Sequence, residues 1–407
     1  AYKDDDFFEH TIAMLRKMYD MSFEKSPKSF LSIQMEYDRN GIHIHQTGYV
    51  EQILEKFNMT NCNPVPTPVS KSQVQNLPSM EVLLEEKGSE VFPGRTAIGM
   101  IGWLVQLTRP DLCQAFNYVC RHTQVANSSS QVFGLIKHCL RYLKGNKSLR
   151  LSYPYSTDDR EGSELEIKVL VDSDLAGAAD KKSTTGYLVY INKRLVMWRT
   201  KKQSTVATST CNAELNGISD GAKTAQWLRG LLFKDLGLPI QTPTQIYNDN
   251  QPAISLTENP VSHAATRHFA LKQAALRELK KRNVISVHHM PGEILAADLL
   301  TKALDRVRFN KLLKLMLNPD AEREDHDDKT TKAYSSNNMG DGPTDTSRME
   351  RGRPTRSKGM TVILPTRRQP NSIPRDPFEK RERPRDKGLQ NVDKHAEACI
   401  LAACKAK

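Results

Sequence analysis

The apolar period changes at Leu165, and the pattern that follows admits few architectures. Leu165, Ile167, Val169 and Val171 alternate, which predicts a strand running directly into Asp172. Gly186 to Ile191 and Arg194 to Arg199 predict two more strands around the turn signal Asn192-Lys193. A helix over about Ala213 to Leu236 carries Ile218, Ala222, Ala225, Leu228 and Leu232 along one face. Ser209 or Thr210 is its N-cap, and Gly237 follows its end. A short strand, Gln245 to Asn248, then leads into Asp249. Helices over 250–258 and 270–282, a strand from Val284 to His289 and a helix from Ala296 complete the order. Strands interleaved with helices in this way predict an α/β domain.

Four acids in this segment have ordinary structural explanations when taken singly. Asp172 and Asp249 end strands, where Asp commonly makes a turn. Glu214 and Asp298 lie near helix starts, where a negative charge complements the helix dipole. Their joint placement argues for chemistry, because two strand ends and two helix starts of one sheet can converge on one rim. Four gathered carboxylates repel one another, and divalent cations supply the compensating charge. Oxygen-only ligands favour Mg²⁺ or Mn²⁺ over zinc. Two such ions ~3.5–4 Å apart can activate a water and stabilise the leaving oxygen of a phosphodiester displacement. The acids therefore point to a nuclease.

The rest of the chain reads as separate regions. Ile12, Leu15, Met18 and Tyr19 recur at helical spacing. Phe30 to Tyr37 predicts a strand, Asn40-Gly41 a hairpin turn, Ile42 to Gln46 the return strand and Tyr49 to Phe57 a helix. Pro64 to Pro78 is a connector. Arg95 to Leu107, Asp111 to Gln124 and Gln131 to Lys144 predict three helices, the first stopped near Pro110. Past about residue 318 an acidic cluster gives way to Arg- and Pro-rich sequence, which predicts disorder. Lys and Arg outnumber Asp and Glu by 59 to 47, a formal charge of +12 that favours polyanionic partners. The seven cysteines form no C-x-x-C pair and no zinc spacing, so reduced thiols are expected. No apolar run approaches the ~20 residues that span a bilayer, so no membrane partner is expected.

Several blocks resemble copia-type LTR-retrotransposon Pol polyproteins, and they occur in the family's order. VDSDLAGAADKKSTTGYLVYI, WRTKKQSTVATSTCNAEL, IYNDNQPAI, NPVSHAATRHF and ADLLTKAL resemble its ribonuclease H domain. FLSIQMEYDRNGIHIHQTGYVEQILEKFNM, then TPV, IGMIGWLVQLTRPDL and LRYLKG resemble the C-terminal part of its reverse transcriptase. The resemblance implies a ribonuclease H-like mixed five-stranded sheet with helices. Before it would stand a partial α+β palm and a helical thumb or connection. The expected boundaries are a palm part at 1–62, a linker at 63–92, a thumb or connection at 93–150 and the ribonuclease H domain at 163–305. A terminal helix at 306–317 and a disordered basic tail at 318–407 follow.

The resemblance implies Mg²⁺-dependent endonucleolytic cleavage of the RNA strand of RNA–DNA hybrids, with two ions and Mn²⁺ as a substitute. Asp172, Glu214, Asp249 and Asp298 would be the metal-binding and catalytic carboxylates, and His289 a mobile histidine assisting product release. Lys201, Lys202, Gln203, Arg267 and His268 are candidate contacts to nucleic acid. The hybrid is the expected partner, together with the polymerase and integrase parts of the same polyprotein. No small-molecule cofactor is expected. The expected location is a cytoplasmic virus-like particle, with the nucleus as the alternative. Tyr2-Lys3-Asp4-Asp5 mimics the polymerase Y-x-D-D string without apolar flanking strands, so the reading is of a polyprotein truncated before its polymerase site. Leu175, Leu215, Arg267 and Ala270 depart from the family's Trp, Tyr, Lys and Asp. Those departures motivate the rival reading, a non-catalytic nucleic-acid-binding remnant of a decayed element.

Overall fold

The structure is a computed structural model that describes residues 5–20, 24, 26–85, 91–155, 164–177, 180–238, 240–258 and 270–319. All of these belong to one compact unit. The predicted tail at 318–407 lies outside the described residues save for Asn318 and Pro319, and so do Arg267 and His268.

The N-terminal part opens with α1 (Asp5–Met18), which buries Ile12. Strands β1 (Ser29–Phe30), β2 (Ile33–Tyr37) and β3 (Gly41–His45) follow, then α2 (Thr47–Lys56). The predicted strand from Phe30 to Tyr37 is in fact broken, because Leu31 and Ser32 take positive φ and turn the chain between β1 and β2. The β2–β3 turn is also wider than a two-residue Asn-Gly hairpin. Asp38 accepts from the amides of Asn40 and Gly41, and Gly41 already belongs to β3.

Within the predicted connector stands the short helix α3 (Lys71–Gln75), followed by α4 (Met80–Glu85). Three longer helices form the middle region: α5 (Gly94–Leu107), α6 (Cys113–Arg121) and α7 (Ser130–Gly145), close to the predicted spans. Arg109 is 1% exposed and makes a two-pronged ion pair with Asp111, at 3.0 and 2.8 Å, while the Tyr142 hydroxyl donates to the same carboxylate. The Thr-Arg-Pro-Asp stop thus doubles as a buried lock between α5 and α7. Sequence periodicity missed β4 (Leu151–Pro154), which pairs with β3 and closes a four-stranded antiparallel sheet.

The second sheet holds β5 (Ile167–Asp174), β6 (Thr184–Ile191) and β7 (Arg194–Lys202). Helix α8 (Thr210–Arg229) widens into a π-type turn over Gly230–Asp235 and is followed by Gly237 at φ +65. Then come β8 (Thr244–Asn248), α9 (Gln251–Glu258), α10 (Ala270–Lys281), β9 (Ile285–His289) and α11 (Arg306–Leu317). The strand order is β7-β6-β5-β8-β9. β5, β6 and β7 pair antiparallel, whereas β8 and β9 run parallel to β5. The sheet is thus the mixed, five-stranded, ribonuclease H-like one that the motif order implies. Asn192 and Lys193 have φ of 45° and 65°, as the two-residue β6–β7 hairpin requires.

The predicted helix from Ala296 is a single 3-10 turn, Ala296–Leu300, and the regular helix begins only at Arg306. Polar contacts join the second sheet to β4 of the first and to helices α5 and α6. The Tyr153 hydroxyl donates to Leu195 O at 3.0 Å, the Trp198 indole to Val105 O at 2.7 Å and Arg121 to Thr184 Oγ1 at 2.8 Å.

Candidate active site

Parallel pairing of β5 with β8 puts the C-terminal ends of both strands at the same rim of the sheet, and with them Asp172 and Asp249. Ser209 starts α8 beside that rim. Its hydroxyl accepts from Asn212 N at 3.1 Å, and this cap fixes the helix start, which places Glu214 just past the first turn rather than within it. Helix α8 can approach because Gly217 lacks a side chain: a Cβ there would lie 2.5 Å from Ser173 Oγ and 2.9 Å from Val171 Cγ1. As a result, one carboxylate oxygen from each of Asp172, Glu214 and Asp249 lies within 4.8 Å of the other two.

Asp172 and Glu214 are buried, and Asp249 is half-buried. Asn248 orients the group, since its side-chain amide donates to Glu214 Oε2 and to Val171 O, both at 2.9 Å. Burial raises the Glu214 pKa, and the charges of Asp172 and Asp249 raise it further. Burial also raises the Asp172 pKa, with the Lys302 ammonium pulling the other way. Buried, mutually repelling carboxyls with only oxygen donors suit a hard divalent cation such as Mg²⁺ or Mn²⁺.

The fourth expected ligand does not join this group. Asp298 is fully buried, but its oxygens meet cations of the chain itself: Lys302 Nζ at 2.6 Å and Arg308 Nη2. Lys302 also reaches Asp172 Oδ1 at 3.1 Å, and the Thr301 hydroxyl donates to Asp172 Oδ2. Burial works against the Lys302 charge, but Asp172 and Asp298 outweigh it and hold its pKa well above the usual lysine value. Asp174 stands on the same side; burial raises its pKa, while Lys302 and Arg121 lower it. Sequence reasoning missed Asp174, Asn248, Thr301, Lys302 and Arg308. The second Asp of the VDSD block and the Lys of ADLLTK were the available signals.

The remaining candidates divide. Gln203 points inward: its amide nitrogen donates to Thr185 Oγ1 and Ala213 O, and its oxygen accepts from Asn216, all at 2.9 Å. The expected contact of Gln203 with nucleic acid is therefore corrected to a brace between β6 and α8. Lys202 pairs with Asp180 at 2.9 Å and is partly exposed, and Lys201 is exposed. His289 is exposed at the end of β9, in register with Asn248. Its neighbour His288 bonds Ser286 Oγ at 2.8 Å.

A family model described as reverse transcriptase (RNA-dependent DNA polymerase) matches residues 2–71. The Pol polyprotein of transposon TNT 1-94 from Nicotiana tabacum is 31% identical over 306 residues, covering 74% of this chain and 22% of that protein. The Pol polyprotein of transposon RE2 from Arabidopsis thaliana is 29% identical over 307 residues, covering 75% of this chain and 20% of that one. Over about three quarters of its length the chain is similar to retrotransposon Pol polyproteins. It spans about a fifth of the length of these two relatives. A crystal structure of LC11-RNase H1 in complex with an RNA/DNA hybrid aligns at 16% identity with a TM-score of 0.26, covering 33% of this chain and 94% of that one. Among the described residues no helix is long and apolar enough to cross a membrane.

Proposed function

We propose that this chain provides the ribonuclease H activity of its polyprotein, a divalent-metal-dependent endonuclease that cuts the RNA strand of RNA–DNA hybrids. The observation that carries the reading is the convergence of Asp172, Glu214 and Asp249 within 4.8 Å at the rim where β5 and β8 end. These residues would hold Mg²⁺, with Mn²⁺ as a substitute. When bound, the ion supplies an activated water and charge neutralisation at the scissile phosphate.

The chain's own groups would do the rest. Asn248 holds Glu214 oriented through its 2.9 Å hydrogen bond. Thr301 fixes Asp172, so that neither carboxylate must reorganise when substrate arrives. Exposed Lys201 would meet backbone phosphates, and preference for the hybrid would come from its shape and 2′-hydroxyls rather than from base readout. His289, exposed beside Asn248, would help the cleaved product leave. The setting we propose is the cytoplasmic particle of such an element, with the rest of the polyprotein as partner.

Incubating a labelled RNA–DNA hybrid with the full chain, with and without Mg²⁺, tests the proposal. Mg²⁺-dependent shortening of the RNA, abolished in Asp172→Asn, is expected. Hybrid binding without cleavage would overturn the enzymatic reading in favour of a binding remnant.

A further inference from the structure

The acidic rim has two unlike sides. On one side, Asp172, Glu214 and Asp249 turn three carboxylates towards a common point. On the other, Asp172 and Asp298 are bridged by Lys302, with Nζ 3.1 Å from Asp172 Oδ1 and 2.6 Å from Asp298 Oδ1. Arg308 closes the second oxygen of Asp298. Asp298 and Lys302 are four residues apart, and Arg308 follows at the start of α11, so one short segment brings both the acid and its cations.

We infer that Lys302 is a tethered cation that takes the place of one of two metal ions, leaving this site with a single exchangeable divalent ion. The inference rests on the nuclease reading and refines its metal count. A divalent ion bound between Asp172 and Asp298 would need the same oxygens that Lys302 uses, and would sit a few ångströms from a fixed ammonium and a guanidinium. Repulsion at such range in a half-buried site is strong. Lys302 and Arg308 already occupy the Asp298 oxygens and one Asp172 oxygen there, so an additional ion would have to displace them. The opposite side adds Glu214 and Asp249 to the shared Asp172, and among the described residues neither of these two has a cation in hydrogen-bonding contact. It alone calls for an ion.

The role is distinct from that of a structural lysine. A purely structural Lys302 would fix Asp298 without setting how many metals bind. In the tethered-cation account, removing the ammonium opens a second site between Asp172 and Asp298. Two ions ~3.5–4 Å apart would then share Asp172.

The test is Mn²⁺ titration of the full chain followed by electron paramagnetic resonance, which separates an isolated Mn²⁺ from a spin-coupled pair. Wild type should show one ion that Asp249→Asn removes, with no coupled signal. Lys302→Met should show a coupled pair, and Lys302→Arg should keep the isolated ion. A coupled pair in wild type overturns the inference and leaves the nuclease reading standing. Absence of any ion sensitive to Asp249→Asn overturns both. A lone isolated ion in a folded Lys302→Met protein, verified by its thermal transition, also overturns the inference. Should that variant not fold, the wild-type spectrum decides.

Discussion

Gly186 faces Asp172 directly across the β5–β6 ladder, and a Cβ there would lie 2.5 Å from Leu300 Cβ and 2.9 Å from Thr301 Cγ2. Close approach of the 3-10 turn to the sheet, and with it the hydrogen bond from Thr301 to Asp172, depends on that missing side chain. Gly186→Ala forces the turn outward or strains the strand. We expect a loss of about 1–3 kcal/mol in stability, the range for overfilled cores. Hybrid cleavage should fall with it. Thermal melting and a cleavage assay on the same preparation check both, and an unchanged melting temperature would show that the turn yields freely.

Glu214 is a ligand whose charge costs stability until a cation arrives. Replacing it by the neutral, similarly shaped Gln should leave the metal-free protein at least as stable as wild type, because burial already favours the uncharged carboxyl. Cleavage should nevertheless fall by more than ~100-fold, beyond what the loss of a mere supporting group does at metal sites. Urea denaturation in chelator, paired with the activity assay, separates the two effects. A strongly destabilised metal-free Glu214→Gln would contradict this account.

The same carboxyls make metal binding sensitive to pH. Asp172 and Glu214 both have pKa values raised by burial. A carboxyl raised in the folded state stabilises the metal-free protein fully below the ordinary carboxylate range, and that contribution is lost as pH rises through the raised value. A divalent ion binds the ionised forms and so must displace their protons. The rise in Tm caused by Mg²⁺ should therefore be small at about pH 5 and grow towards about pH 8. Proton release measured in two buffers of different ionisation enthalpy is the direct check. A Tm shift independent of pH would place the ion elsewhere.

Much of this site is legible in the sequence because the ligands are tied to local structure. Asp172 closes an alternating run, Asp249 follows another, and Glu214 sits one turn into a capped helix. Each position can be read within ten residues of itself. Asp298 is legible as an acid near the rim, but its partners are not. Lys302 and Arg308 matter only because a 3-10 turn folds them back onto it, which no periodicity encodes. Gln203 misleads for a related reason: a polar residue after two lysines suggests a solvated turn, yet β6 and α8 meet there and claim its amide. β4 escaped notice because its four residues carry too little alternation, and only pairing with β3 makes them a strand.

His289 tests the proposed exit of product. Exposed beside Asn248, it touches the rim without belonging to the carboxylate group. His289→Ala should lower steady-state turnover by about 10-fold while leaving the single-turnover cleavage rate near wild type, as expected when product release limits the cycle. Equal losses in both rates would assign the histidine to cleavage itself.

The most direct measurement is the fate of both strands of a hybrid incubated with Mg²⁺ and the full chain, wild type beside Asp249→Asn. The account expects internal cuts in the RNA strand alone, leaving 3′-hydroxyl and 5′-phosphate ends, and their loss in Asp249→Asn. Cuts that persist in Asp249→Asn, or a folded wild type that binds the hybrid and leaves the RNA intact, would contradict it.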